Sequence, residues 1–445
     1  MAASPDYRTT LVAPHAFWTT LSPTQIRQRI EHILAVPDSA ALVQALSPVE
    51  YTVLLKTAVD MRPVLLQLGQ PEQIRTVLDL DCWHKDTLQS HRVLEWLEAL
   101  QQSGEEIFIS TLLALDGELL SVVLRRHIRV DAALASEEED EPMPYDEVLS
   151  NELYRIAFLD PDSPVNEQVA EFLRVLRLHD LDLYHRLMQE VMWAQEGDLE
   201  ELAYRWKTGR LQDEGIPDYY EALESYHVVD LETVQTPVAT SLTSPGIPAS
   251  AEESGLVPSY AWGLTPSGSL LAEALRSEFS ADTLERLCWE MVALCNKAIA
   301  LDQVDFADTT AVRMSLGRVH AYVNIGLEYL SGQERSACAV LLTQRPLLAI
   351  SQVGFTLSMR LRQRAISLQV HLNRATGVRR ALPGTARHVL DGLLQVWHPQ
   401  FWLGLEAPGA LGYRDFLSLR DVHQVEVLLH SLQHDPAYHL EPQVA

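Results

Sequence analysis

Apolar side chains recur at helical spacing along almost the whole chain, and this period most limits the folds open to it. Tyr51, Leu54, Leu55 and Ala58 stand at i, i+3, i+4 and i+7, as do Val93, Trp96, Leu97 and Leu100, and Leu120, Val123, Leu124 and His127. In a helix of 3.6 residues per turn each set lines one face, whereas a strand would divide it between two. Helix starts are also written locally. Ser22-Pro23-Thr24-Gln25 and Ser47-Pro48-Val49-Glu50 each place a capping hydroxyl, a proline at the first helical position and a side chain three residues on that can bond back to the cap. About six short helices are expected from Ser22 to Val130, joined by tight turns and burying their faces by stacking as hairpins.

The same period continues in Val169, Phe172, Leu173, Leu176, then Tyr184, Leu187, Met188, Val191, then Leu199, Leu202, Ala203, Trp206. A heptad of Leu284, Leu287, Met291, Leu294 and Ala298, followed by Val312, Leu316, Val319 and Val323, predicts longer helices. The expected fold is all-α: a stacked, solenoid-like helical-hairpin region followed by a larger helical bundle. Breaks in composition divide the chain into a helical-repeat domain at 1–134, an acidic linker at 135–147, a middle helical domain at 148–234, a Pro/Ser/Thr-rich connector at 235–269 and a bundle at 270–445. Residues 22–130, with their leucine-rich helices and Pro-x-x-aliphatic starts, resemble the stacked repeats in the cytosolic N domain of MgtE-type magnesium channels and in the flagellar motor-switch protein that shares that architecture. That resemblance covers about a quarter of the chain and implies architecture alone.

Charge is segregated. Acids outnumber Lys and Arg 61 to 34, yet residues 335–390 contain no acid and nine arginines. Such a surface meets something anionic. One reading pairs these arginines with carboxylates of neighbouring helices; another docks the Glu137 to Glu147 run or a partner's acidic face on Arg360, Arg362 and Arg364 through bidentate guanidinium geometry. Nucleic acid is not expected, because a net charge of −27 opposes phosphates and no recognised motif is present. Met1–Tyr7 has no positive or apolar leader pattern, the apolar run 337–359 is interrupted by Gln344, Arg345, Pro346 and Gln352, and the four cysteines form no CxxC. A cytoplasmic protein without a membrane span is expected.

The segment from Ala203 to Ala222 mixes charge, aromatics and glycine most densely. A structural reading makes Asp198 and Glu201 a capping box, ends the helix at Gly209, turns the chain at Gly215-Ile216-Pro217, caps the next helix with Asp218 and Glu221, and pairs Arg205, Lys207 and Arg210 with Asp213, Glu214 and Asp218. A functional reading gathers Arg205, Arg210, Asp213 and Tyr220 around an anion-binding pocket, although GxxxxGK spacing is lacking. This segment resembles a signature of an uncharacterised bacterial family, a domain of unknown function of about this length, and the resemblance spans most of the chain; it implies no activity.

Three other groups carry less. His423, His430 and His434 share a helical face, but without an HExxH frame they imply surface histidines, and no metal or cofactor is expected. Asp302, Asp305 and Asp308 lack calcium-loop spacing and read as helix-end carboxylates. Cys82 and His84 are adjacent in sequence, and Asp86 reads as the next helix's N-cap. The expected function is a scaffold or regulatory adaptor binding protein partners; the alternative is an enzyme or small-ligand sensor built on residues 204–220.

Overall fold

The computed structural model describes residues 22–133, 145–234, 265–266, 268–374 and 384–434. Most of the acidic linker and of the 235–269 connector, with Arg379 and Arg380, lies outside them. The fold is all-α, with three antiparallel two-stranded pairs among the described residues. It divides into two compact units. One holds the described residues up to Tyr219 together with Gln303–Thr309; the other holds Tyr220–Asp302 and the residues from Thr310 onward.

The first unit opens with α1 Pro23–Leu34, α2 Ser39–Gln44, α3 Pro48–Thr57, α4 Arg62–Leu68 and α5 Pro71–Asp81. A hairpin follows, β1 Trp83–His84 and β2 Thr87–Leu88, then α6 Ser90–Ser103, α7 Glu105–Ala114 and α8 Gly117–Arg125. Ser22 and Ser47 form the reciprocal capping boxes that their sequences predict. Through this stretch each helix packs on the one two further along, α1 on α3 through α5 on α7. Eight helices stand where about six were expected, because Gly104, at φ 137°, and the extended Leu115 break apolar runs that read as continuous. Asp86 is not an N-cap: it lies in the turn of the β1–β2 hairpin, and the next helix starts after Gln89. His127 falls beyond α8, immediately before β3 Ile128–Ala132, which pairs with β4 Tyr154–Phe158.

The unit closes with α9 Asn166–His179, α10 Leu181–Trp193 and α11 Glu196–Asp213. One continuous core runs from Ile26 to Ala203, so helices on both sides of 135–147 share it. α8 lies against both α10 and α11, and α11 also reaches α5.

The second unit contains the short helices α12 Tyr219–Ala222, α13 Leu231–Val234 and α14 Leu270–Ala274. The longer ones are α15 Ala281–Asp302, α16 Thr309–Ser331, α17 Arg335–Gln344, α18 Leu347–Arg374, α19 Gly384–Leu394 and α20 Leu419–His434. A β-hairpin, β5 Gln400–Trp402 with β6 Tyr413–Asp415, packs on α19, and α18 is lined by α15, α19 and α20. No single described helix is long and apolar enough to cross a membrane.

Candidate functional site

In the first unit α11 is inside-out. Leu199, Ala203 and Leu211 are buried as the period predicts, but Trp206 is 55% exposed and Leu202 also faces outward. The expected core position of Trp206 is therefore corrected: the inward stripe that continues from Ala203 carries Lys207 and Arg210 instead. The helix is held in this orientation by Arg126 at the end of α8. Its guanidinium pairs with Glu196 at 2.6 Å and Glu200 at 3.0 Å, and donates to the Leu88 carbonyl at 2.7 Å, while Glu200 accepts from the Leu88 amide.

Arg210 makes a two-carboxylate bridge. Its Nε and Nη2 donate to Asp79 at 2.7 and 2.9 Å, and Nη1 and Nη2 donate to Asp116 at 3.0 and 2.6 Å. Burial works against this cation, but the bonds to Asp79 and Asp116 raise its pKa above the ordinary arginine value. The Asp79 side chain is 1% exposed, so the bridge neutralises a carboxylate that water cannot reach. One turn earlier, Lys207 Nζ stands 5.3 Å from the centroid of Trp83 and 4.9 Å from that of Tyr204. Burial brings its amine down to about 8, against the pull of Asp79, Asp218 and Asp86. Tyr204 donates its hydroxyl to Asp218.

The residues singled out by sequence do not converge. Arg205 points outward and pairs with Glu201 one turn back, and Tyr220 is half exposed on the short helix α12. The expected pairing of Arg210 with Asp213, Glu214 or Asp218 is replaced by the bridge to Asp79 and Asp116, and Arg205 pairs within its own helix. Asp198 lies in the first turn of α11 behind a Gln195 N-cap, not at the cap, and the helix continues through Gly209 to Asp213. Gly215, at φ 77°, does turn the chain. Sequence reasoning passed over Trp83, Asp79 and Asp116 as partners of this helix because they lie about a hundred residues away.

In the second unit the outward face of α18 carries Arg360 and Arg364. Arg360 is exposed and has no ion pair among the described residues, whereas Arg364 reaches Glu426 of α20 at 2.7 Å between two half-exposed side chains. Arg362 is different: it donates to the carbonyls of Val396 and Trp397 and lies over the Trp397 ring at 5.7 Å. Trp397 is 60% exposed, and Val396, Ile366, Val370 and Val427 are exposed on the same unit.

Beneath Trp397 lies a buried polar network that the sequence did not announce. His398 Nε2 stands 2.9 Å from Asp302, and its Nδ1 3.1 Å from the hydroxyl of Tyr322. The Tyr322 hydroxyl and the Asp302 carboxylate thus engage both ring nitrogens of His398. Asp302 also accepts from Ser315 at 2.7 Å, Arg318 at 2.8 Å and Tyr226 at 3.2 Å, and Arg318 continues to Asp415 at 3.3 Å. Asp302 ends α15, as its sequence position suggested, but it is the hub of this network. Burial pushes its carboxyl up; the hydrogen bond from His398 and the charge of Arg318 outweigh that and hold it below the usual range. A carboxylate with a folded pKa below its unfolded value stabilises above the unfolded value, and that contribution is lost as pH falls through the folded one. The stability gap between wild type and Asp302→Asn, measured by urea unfolding, is therefore expected to be full at neutral pH and to close below about pH 4. A gap that stays constant with pH would remove Asp302 as the titrating group.

The remaining sequence candidates are plain. Cys82 is fully buried, and burial raises its thiol well above the ordinary value, while His84 is exposed. The His430 and His434 rings lie 4.1 Å apart at a tilt of 38°, with the His434 ring bonded to the His430 carbonyl. Among the described residues no group of three or more His, Cys, Asp or Glu is placed to hold a metal ion.

No curated protein and no solved structure matches this chain. One family model does, over residues 8–434, a span that includes every residue of the Lys207–Arg210 stripe, the α18 face and the Asp302 network. The chain belongs to that family, a family of unknown function (DUF6178).

Proposed function

We propose that the protein is a helical recognition scaffold that docks an acidic segment of a protein partner on the outward face of α18. The observation that carries this reading is the pair of exposed arginines, Arg360 and Arg364, one turn apart on α18 and drawn from an acid-free stretch. Arginine is enriched in binding hot spots, and its planar guanidinium meets a partner carboxylate through two parallel bonds. The exposed Arg364–Glu426 pair holds the surface weakly; pairs of this kind contribute about 0.2–1 kcal/mol, so a partner carboxylate can displace Glu426. The cations of the 204–220 segment favour the scaffold over an anion pocket, since Arg205 and Arg210 are engaged with carboxylates of their own unit.

The test is affinity capture from native lysate at low and high salt with wild type and Arg360→Glu/Arg364→Glu. A salt-sensitive protein partner is expected on wild type, with binding at least about tenfold weaker for the variant and unchanged circular dichroism. Arg362 is left intact because its bonds to two carbonyls are structural. Equal capture by both proteins would sink the reading.

A further inference from the structure

Lys207 is one of four lysines in the chain, with Lys56, Lys85 and Lys297. Lys56 is held by Asp81 and Asp305, and Lys297 by Glu224. Lys207 has no ion pair within 4 Å among the described residues. Its one hydrogen bond is a long one, 3.4 Å to the carbonyl of Lys85, and the rest of its environment is the faces of Trp83 and Tyr204. Nearby carboxylates have other work: Asp79 takes two bonds from Arg210, and Asp218 accepts from Tyr204. Lys207 thus rests on aromatic faces, while the other inward charge of the helix, Arg210, is bridged by two carboxylates.

The cage contains a second anomaly. Trp83 is only 9% exposed, and its indole Nε1 is buried with no hydrogen-bond partner among the described residues. Buried donors are nearly always satisfied, and the exceptions mark strain, chemistry or a missing group. The same ring therefore carries an unmet donor and an amine with no ion pair among the described residues. A carbonyl compound meets both as it arrives: its oxygen accepts from the indole until it leaves as water, and its carbon faces the amine. The charge around the amine narrows the choice further. Asp79, Asp218 and Asp86 all act on Lys207, so a carboxylate or phosphate on the ligand would be repelled and a neutral molecule would not.

We infer that Lys207 and Trp83 form a site for a small neutral aldehyde, which the lysine ligates as a Schiff base. The amine lone pair attacks the carbonyl carbon and a C–N bond forms. The carbonyl oxygen takes up the two amine hydrogens and leaves as water, giving a neutral imine with no oxidant or reductant consumed. With burial bringing the amine to about 8, roughly one molecule in ten presents it neutral at pH 7 and about half at pH 8. Lys207 is on the opposite unit from the α18 face, so this site stands or falls independently of the docking reading.

The experiment uses the full chain, glycolaldehyde as the probe and cyanoborohydride to trap the imine, with peptide mapping by mass spectrometry between pH 7 and 9. Lys207 is expected to be modified ahead of Lys56, Lys85, Lys297 and the N-terminal amine, and at pH 8 at least about tenfold faster in the folded chain than in urea. Trp83→Phe keeps the ring face and removes the donor, and is expected to slow labelling of Lys207 alone. A buried lysine with a purely structural role would be protected by folding. Slower labelling in the folded chain than in urea, or Lys85 or the N-terminus labelled first, would overturn the proposal. These comparisons within the wild-type chain need no variant to fold.

Discussion

Arg210→Met is expected to cost the first unit about 3–5 kcal/mol, the range for removing one partner of a buried ion pair. Methionine fills nearly the same space, so the loss reports charge and hydrogen bonding more than a cavity. Without the guanidinium, Asp79, whose side chain is 1% exposed, and Asp116 face each other with four bonds gone. Lysine at this position keeps the charge but has no planar fork to span two carboxylates, and is expected to recover only part of the loss. Adding Asp79→Asn to Arg210→Met removes the stranded charge and should restore some of it. Urea unfolding followed by helical circular dichroism reads all of these variants. A midpoint for Arg210→Met equal to that of wild type would show that water reaches Asp79 after all.

What the sequence made legible was local. Ser22 and Ser47 cap as read because every atom of a capping box lies within four residues. Tyr51, Leu54 and Leu55 are buried as read because their helix turns apolar groups to the core. The period misled at Trp206 for a definite reason: it equates apolar with inward, and on α11 the inward positions hold Lys207 and Arg210. The partners of Arg210, Asp79 and Asp116, are 131 and 94 residues distant, and nothing at residues 207–210 indicates them. The Asp302 network was hidden in the same way, since His398 is 96 residues from the carboxylate it faces. Charge segregation on α18 was visible, but not which arginines face outward. Two residues rotate a helix by about 200°, so Arg362 turns away from the face of Arg360 and Arg364, toward the Val396 and Trp397 carbonyls.

One signal in the sequence was available and carries the second large effect. Gly326 and Gly354 sit inside long helices, where glycine is about 1 kcal/mol worse than alanine, so each calls for a packing reason. The structure supplies it: a Cβ on Gly354 would collide with the backbone carbonyl of Tyr322, and one on Gly326 with that of Ile350. Each glycine meets the residue four before the other, which is a reciprocal crossing of α16 and α18 at backbone contact. Tyr322 is the residue whose hydroxyl reaches His398 at 3.1 Å and whose ring lies 5.6 Å from that of Phe355. Gly354→Ala must move this backbone, and is expected to destabilise the second unit by about 3 kcal/mol, at the upper end of the usual overpacking cost, and to alter the near-ultraviolet signal of the packed tyrosines. Gly317→Ala is the internal control. It places the same methyl group on α16 where nothing lies within 4 Å, and is expected to leave stability unchanged or raise it by up to about 1 kcal/mol. Opposite signs for one chemical change on the two crossing helices would locate the constraint at the crossing, whereas equal effects would make it a matter of helix propensity alone.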